Sequence, residues 1–388
     1  MRLEQRRWIK SQGWCPDRIT QEMNSAQVVF VFCAPSTLAE KKTFFQIKEF
    51  YPQAHILGCT TAGEICGTQV LDDSIVTTAV QFEYTEVRGT LVKLKQVVNS
   101  YDAGELLVKN LPQSILGKTG KDQKLNHLFV LSDGLKVNGS ELVRGLSNHL
   151  PEGVTITGGL AGDGDRFSET HVIMDGQPEK ETIALLGFYG DRLHVGFGSL
   201  GGWDSFGPER IITRSNGNVL FELDGQSALE LYKRYLGEHA KGLPATGLLF
   251  PLGIRMKSGE TGVVRTILSI DEKEQTMTFA GDVPEGSYAR FMKANFDRLI
   301  DGAIGAARAS YQGIARNTPA LAILISCVGR KLILKQRIEE EVEGVRDILG
   351  SQAVLAGFYS YGEISPFALG TRCELHNQSM TITTLFEE

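Results

Sequence analysis

The sequence lacks several features that would assign it at once to a class of protein. Its 40 Lys and Arg residues stand against 46 Asp and Glu residues, so the net charge of -6 offers no basic surface to nucleic acid. No apolar run approaches the ~20 residues that span a membrane, and no apolar core follows the basic first residues as a secretory signal requires. We therefore expect a cytoplasmic protein that binds neither nucleic acid nor membrane.

Metal-binding and catalytic motifs are also missing. The 6 Cys residues form no CxxC pair and the 7 His residues have no paired spacing, so reduced, structural thiols are expected. There is no HExxH and no GxSxG, and the near-matches to phosphate-binding and dinucleotide-binding loops at 117–119 and 196–201 lack the helix that each motif needs. The sequence therefore predicts no catalytic residue and no enzyme.

What the sequence does contain is one phrase that returns. AHILGCTTAGEI at 54–65 reappears as AVLAGFYSYGEI at 353–364 and, more loosely, as VTITGGLAGD at 154–163. The alignment superimposes the glycine and acid that end each copy, which are Gly63 and Glu64, Gly162 and Asp163, and Gly362 and Glu363. A strand-like run and a helix-like stretch precede each copy, so we predict three strand-helix-strand modules, each ending in a Gly-x4-Gly-acid turn.

Chain length and the repeat together predict the architecture. At 388 residues the chain is too long for one ordinary core, and we predict an α/β protein of two domains with mixed sheets. The predicted parts are an N-terminal extension at 1–27, a first domain at 28–222 and a second domain at 223–388. We also expect a loop rich in glycine and aromatic residues at 203–208 and a long helix at 288–307.

The motif turns are the predicted ligand site, because α/β proteins bind ligands where their strands end. Glycines leave room for a ligand, and the polar and aromatic groups beside them would orient it in a cleft shared with the 203–208 loop. The candidate ligand-binding residues are Thr60, Thr61, Gly63, Glu64, Gly162, Asp163, Trp203, Phe206, Arg210, Tyr359, Tyr361, Gly362 and Glu363. The alternative is that the glycines serve close packing between modules and that the two glutamates only satisfy main-chain N–H groups.

Several phrases together resemble a known family. GCTTAGEI, SDGLKVNGSELVRGL, TGGLAGDGDRF, GWDSFGP and GFYSYGEISP make the chain similar to FIST proteins, which consist of a FIST N and a FIST C domain. The resemblance implies a sensor of small ligands that feeds a signalling output, with amino acids suggested as ligands. One branch of the family consists of stand-alone proteins that bind haem, sense nitric oxide and act on a partner histidine kinase. The resemblance implies these properties as a second expectation for this chain.

The resemblance leads to a functional expectation with alternatives. No kinase or receiver segment is recognisable in these residues, so we expect a sensor that regulates a separate signalling protein such as a histidine kinase. Haem b would need an axial donor, and the candidates are His171, four positions after Phe167 of the second motif, and His194, which precedes the 203–208 stretch. The alternatives are an amino-acid sensor without haem and, with less support, an enzyme.

Overall fold

The computed structural model describes residues 1–117, 120–256, 262–314, 317–367 and 370–388. Its strands are β1 (Arg2–Ile9), β2 (Gly13–Cys15), β3 (Val28–Cys33), β4 (His55–Thr60), β5 (Glu64–Cys66), β6 (Gln69–Leu71), β7 (Ser74–Gln81), β8 (Glu86–Lys93), β9 (Ser114–Leu116), β10 (Asp122–Ser132), β11 (Thr155–Leu160), β12 (Val172–Met174), β13 (Thr182–Tyr189), β14 (Leu193–Leu200), β15 (Trp203–Asn216), β16 (Val219–Leu223), β17 (Gln226–Ser227), β18 (Leu252–Arg255), β19 (Val263–Arg265), β20 (Ile267–Asp271), β21 (Thr276–Phe279), β22 (Tyr288–Ala294), β23 (Leu321–Cys327), β24 (Val354–Ser360), β25 (Gly362–Pro366), β26 (Cys373–His376) and β27 (Met380–Glu387). Its helices are α1 (Lys41–Phe50), α2 (Ser100–Lys109), α3 (Gly139–Ser147), α4 (Ala228–Leu236), α5 (Phe296–Gly313), α6 (Val328–Leu334) and α7 (Ile338–Leu349). None of the helices within these ranges is both long enough and apolar enough to cross a membrane.

Three sheets share one strand order, which confirms the predicted modules. The first sheet runs β12-β4-β3-β7-β1-β2, the second β26-β25-β11-β10-β13-β8 with β9 beside β10, and the third β14-β27-β23-β24-β5-β6. In each, a parallel pair (β3 and β4, β10 and β11, β23 and β24) is followed by an antiparallel strand (β7, β13 and β27). The first strands each contain an apolar run that is buried on both faces, as in the VVFVFC of β3.

The strand that follows each motif turn leaves its own module. β5 pairs with β24 in the third sheet, β12 pairs with β4 in the first, and β25 pairs with β11 in the second. Each module therefore completes the sheet of another, and the two largest apolar cores mix residues from all three modules.

The parallel pairs align the modules residue by residue. The equivalent glycines and their neighbours across the pair are Gly58 with Val31, Gly158 with Val130, and Gly357 with Leu324. A Cβ on any of these glycines would overlap the main-chain oxygen of its neighbour, so the close approach of the two strands requires glycine.

This register corrects the predicted alignment of the second copy. Counted from Gly158, Gly162 corresponds to Ala62 and not to Gly63, so the prediction was wrong by one residue. The error arose because the second copy carries this glycine one position early, and sequence comparison favours matching glycine to glycine.

A fourth sheet is inserted between β14 and α5. Its order is β19-β18-β22-β15-β16-β21-β20, with β17 beside β16, and all its pairs are antiparallel. Two predictions fail here: 203–208 is the start of β15 rather than a loop, and 288–294 is β22, so the long helix begins only at Phe296. A register shift between Phe206 and Arg210 lets β15 accommodate Gly207 and Pro208 without ending.

The sheets extend across the predicted boundaries. Residues 1–27 include β1, which pairs with β7 along its whole length. The boundary at 222/223 falls within β16, whose hairpin partner β17 follows directly through the turn at Asp224 and Gly225. The division into 28–222 and 223–388 therefore stays a prediction. The third module follows the fourth sheet in the chain, and its strand β25 pairs with β11 in the second sheet.

A candidate ligand-binding cleft where the modules meet

The three motif turns contact one another through a ring of main-chain hydrogen bonds. Ala62 N–H donates to Tyr359 O (2.8 Å), Gly162 N–H to Thr60 O (2.9 Å) and Tyr361 N–H to Leu160 O (3.3 Å). Equivalent positions make equivalent bonds, so the ring has approximate threefold symmetry. The turns therefore bring together most of the predicted ligand-binding residues, which are Thr60, Thr61, Gly63, Glu64, Gly162, Asp163, Tyr359, Tyr361, Gly362 and Glu363.

Two of these residues, Glu64 and Glu363, are carboxyls buried beneath the turns. Their hydroxyl partners are Thr61 and Ser74 (2.6 Å) for Glu64, and Ser360 (2.6 Å) and Ser379 (2.9 Å) for Glu363. Burial raises the pKa of each carboxyl to about 8, although the hydroxyl bonds act to lower it. The bonds hold each turn against the start of the next strand, and neither carboxyl lines the cleft described below.

The second motif turn carries an additional loop at 163–170. Gly63 O and His171 O accept equivalent main-chain bonds, from Tyr359 and Thr60 respectively, each of 2.9 Å. The residues between Gly162 and His171 thus have no counterpart in the first module.

Asp163 organises this additional loop. Its carboxylate accepts hydrogen bonds from the Tyr361 hydroxyl and from the N–H groups of Ser168 (2.9 Å) and Glu169 (3.0 Å). Phe167 stacks on the Tyr361 ring with centroids 4.7 Å apart. The loop is thereby fixed against the third motif turn.

An open cleft lies between this loop and the first motif turn. Its volume of about 350 Å³ falls within the range of small-ligand pockets. The lining residues are Ala34, Pro35, Ser36, Thr61, Ala62, Gly63, Asp72, Asp73, Gly164 and Arg166. Sequence analysis identified Thr61 and Gly63 but not Ala62 between them, and the other lining residues come from segments outside the repeated phrase. Arg166 offered a signal, as the basic residue within TGGLAGDGDRF.

Lys331 reaches this cleft from the third module. Its ammonium group donates to Ala62 O (2.9 Å) and pairs with Asp72. Gly63 makes room for it, since the φ of +137° disfavours any other residue and a Cβ there would overlap the ammonium group. The cleft therefore carries charges of both signs, which suits a small polar ligand.

The residue before Lys331 anchors the same helix, α6. Arg330 is fully buried and donates to Glu341 through Nε (3.1 Å) and Nη2 (2.8 Å). It also donates to Gly201 O (3.0 Å), next to the start of the fourth sheet, while the Tyr359 hydroxyl donates to Glu341 (2.7 Å). Helix α6 thus contacts the edge of the cleft through Lys331 and the start of the fourth sheet through Arg330.

The remaining predicted ligand-binding residues belong to the fourth sheet, outside the cleft. Trp203 is buried with its Nε1 donating to Gln378 O (2.8 Å). Phe206 packs on the ring of Phe291, and Arg210 forms an ion pair with Asp224 (2.9 Å). They do not join the motif turns because 203–208 is a strand with partners of its own.

The two candidate haem ligands both lie beside charged groups. His171 is buried and its Nδ1 lacks a hydrogen-bond partner, but charged groups of Glu169, Lys180 and Asp133 lie near it, and burial lowers its pKa. His194 is 38% exposed, with its Nε2 3.3 Å from the Glu388 carboxylate. Neither residue lines the cleft at the motif turns or the larger cleft described below. The described ranges also contain no group of three or more metal-ligating side chains.

A second, larger cleft lies at the other ends of the strands. It has a volume of about 660 Å³ and is formed by the start of β10 and by the turns at Tyr84, Gly153 and Asp191. Ligands of α/β proteins bind at the carboxyl ends of strands, where the smaller cleft lies. The smaller cleft is therefore the better candidate for the functional site.

Comparisons with known proteins agree with the architecture. The FIST N domain model matches residues 27–226 and the FIST C domain model matches residues 228–366. The chain is similar to the uncharacterized protein MJ1623 of Methanocaldococcus jannaschii, at 24% identity over 351 residues, and it covers 65% of that protein's length while 86% of this chain is matched. Because the two domain models together match most of the sequence, the chain belongs to the FIST family, whose domains are small-ligand sensors of signal transduction.

Proposed function

We propose that this protein is a sensor that binds a small ligand in the cleft at the motif turns and regulates a separate signalling protein, such as a histidine kinase. The observation that carries the proposal is the position of the cleft. Its walls come from the first motif turn and the 163–170 loop of the second module, and Lys331 of the third module is bonded to its rim. A ligand bound there would contact the first two modules and lie beside Lys331 of the third.

The charges in the cleft favour a zwitterion of the size of an amino acid. Arg166 is exposed and forms no ion pair within the described part of the chain, so its guanidinium is available to a carboxylate. Asp73 lines the same cleft and would accept an ammonium group. A volume of about 350 Å³ accommodates such a ligand.

Helix α6 is the element that would transmit binding. A sensor must have conformations that differ in ligand affinity, because only that difference shifts their populations. A ligand that competes for Lys331 would weaken its pairing with Asp72 and displace α6. Since Arg330 on the same helix bonds to Gly201, the displacement would reach the root of the fourth sheet, where a partner protein could detect it.

Thermal unfolding against a panel of amino acids tests the ligand. A ligand present at about 100 times its dissociation constant stabilises the fold by roughly 2.7 kcal/mol. The shift should disappear in Arg166→Ala and persist in Arg210→Ala, a matched change on the fourth sheet. If no amino acid stabilises a well-folded sample, the proposal of an amino-acid sensor fails.

Phosphorylation assays test the partner. The rate of phosphorylation by the cognate histidine kinase should differ between samples that contain the apo protein and samples that contain the ligand-loaded protein. Equal rates of phosphorylation would show that the ligand binds without changing the activity of the kinase. Turnover of the ligand by this chain alone would favour an enzyme instead.

Haem-dependent sensing of nitric oxide is the other function that the family resemblance implies. The unpartnered Nδ1 of His171 is an observation in its favour, and the charged groups around it weigh against it. Protein reconstituted with haem would show a sharp Soret band that moves with nitric oxide and is lost in His171→Ala but not in His194→Ala. A broad band like that of free haem would exclude this function.

A further inference from the structure

One position at the end of the first strand is equivalent in all three modules. Its main-chain N–H bonds to the start of the antiparallel strand, from Ala34 to Ser74 O (2.9 Å), from Asp133 to Thr182 O (2.9 Å) and from Cys327 to Ser379 O (3.0 Å). The residues before these acceptors are Asp73, Glu181 and Gln378, which share a left-handed backbone with φ of 53°, 51° and 62°. The three sites can therefore be compared group by group.

In the second module, a side chain of the protein fills this site. Asp133 is buried, and its Oδ1 accepts hydrogen bonds from the N–H groups of Leu135 (2.9 Å) and Lys136 (2.7 Å). Its Oδ2 accepts from the Thr170 hydroxyl (3.0 Å) and from Glu181 N–H (3.3 Å). The second module thus supplies its own carboxylate to a set of converging donors.

In the third module, two side chains close the corresponding site. The buried thiol of Cys327 lies near the main chain of Gly329 and Gln378, which are the counterparts of Leu135 and Glu181. The side chain of Gln378 also packs over Gly329 and donates to Thr266 Oγ1 (3.0 Å) of the segment before β20. This site is closed as well.

In the first module, the same site opens into the cleft. The equivalent residue is Ala34, whose methyl group accepts no hydrogen bond, and the counterparts of Leu135 and Glu181 are Ser36 and Asp73. All three line the cleft, together with the unpaired Arg166. The first module therefore has the same main-chain frame as the second but no acceptor of its own.

The acidic side chains that face this site already have partners. Asp73 accepts a hydrogen bond from the Ser36 hydroxyl (2.5 Å), and Asp72 is paired with Lys331. Glu64 lies buried beneath the turn and is bonded to Thr61 and Ser74. An anion that enters the site would therefore find the charged side chain of Arg166 free to pair with it.

We infer that the ligand carries a carboxylate, which binds beside Ala34 in the place that the Asp133 carboxylate fills in the second module. The main-chain N–H groups of Ser36 and Asp73 and the guanidinium of Arg166 hold it. This inference rests on the proposed function and deepens it, because it says where in the cleft the carboxylate binds and which main-chain groups hold it.

Supplying the carboxylate from the chain itself tests the inference without a ligand. Ala34→Asp should reproduce the closed arrangement of the second module and raise the melting temperature of the ligand-free protein above that of Ala34→Asn, the neutral variant of nearly equal size. A melting temperature of Ala34→Asp below that of Ala34→Asn would overturn the inference. The comparison holds even if both substitutions cost some stability.

Matched ligands test the same inference on the intact protein. Each L-amino acid is compared with its primary amide, which lacks the carboxylate. We expect the amide to bind the wild-type protein about tenfold more weakly or worse, since it forfeits charge-assisted hydrogen bonds, and we expect Ala34→Asp to bind neither. If amide and acid bind equally well, the carboxylate inference fails while the proposed sensor stands. If neither binds, the amino-acid sensor fails, and the stability of Ala34→Asp alone decides whether the anion site exists.

Discussion

The first and second modules share one backbone at the end of their first strand and differ in what fills it. Asp133 closes the site in the second module with its own carboxylate, whereas Ala34 leaves the matching site open in the first. In the proposed function, one copy of the repeated fold is purely structural and another binds the ligand, and few side chains distinguish the two. The main-chain hydrogen bonds that define the module are the same in both.

The strands exchanged between modules show a second contrast. Glu64 pairs opposite Phe358 and Glu363 opposite Gly159, while the matching position opposite Cys59 is Val172. The first and third turns are thus held by a buried carboxyl, and the second is held by the loop that Asp163 organises. This contrast predicts different responses to pH.

The strongest effect that we anticipate is the pH dependence that Glu64 and Glu363 impose. Their pKa of about 8 in the folded protein lies above the ordinary value of 4.5, so the folded state retains protons that the unfolded chain releases between these values. The stability associated with these groups is therefore full at low pH and falls as pH rises toward 8, by about 1.4 kcal/mol per unit for each carboxyl.

Urea unfolding between about pH 5 and pH 8 measures this slope. Glu64→Gln and Glu363→Gln should each remove part of the decline, and the double variant should flatten it. Val172→Thr, a polar change at the matching position, is the control and should leave the slope unchanged. A slope that is the same in the double variant as in the wild type would contradict the burial of neutral carboxyls.

Removing Asp133 should break the closed site of the second module. Asp133→Ala leaves four donors without their acceptor in a buried place, so we expect a loss of about 3 kcal/mol in the free energy of unfolding. Asp133→Asn keeps an acceptor oxygen and should cost less. A loss below about 0.5 kcal/mol, which is typical of surface positions, would show that the carboxylate does not stabilise the module.

The substitutions Gly63→Ala and Gly67→Ala compare a turn that contacts Lys331 with a turn that does not. Both have a positive φ, but a Cβ on Gly67 meets open space, whereas one on Gly63 overlaps the lysine. Gly67→Ala should cost about 1 kcal/mol through the left-handed backbone alone. Gly63→Ala should cost about 1 kcal/mol more, because a φ of +137° is more strained for alanine than the left-handed backbone at Gly67 and because the lysine must also leave its place. Equal losses in thermal unfolding would mean that Lys331 is not held across the turn.

The modules and the meeting of their turns could be predicted from sequence because a repeated phrase followed each helix. The exchange of β5, β12 and β25 could not, since these strands are short and their partners are distant in the chain. Gly207 and Pro208 indicated a loop in a place where a register shift maintains strand pairing.

The residues that line the cleft could not be predicted from sequence for a different reason. Ala34, Asp133 and Cys327 each lie at the end of the first strand of a module, but they share no chemistry that an alignment of motifs would detect. Their equivalence rests on main-chain hydrogen bonds, which only coordinates reveal. Position, rather than residue type, is the signal that connects them.

Amide NMR of the nitrogen-15-labelled protein, titrated with the amino acid that gives the largest thermal shift, tests most directly whether the first module is the binding copy. We expect the amide signals of Ser36 and Asp73 to move, while those of Leu135 and Glu181 in the second module stay in place. Movement confined to the larger cleft around Tyr84, or equal movement in both modules, would contradict a ligand that takes the place of the missing carboxylate.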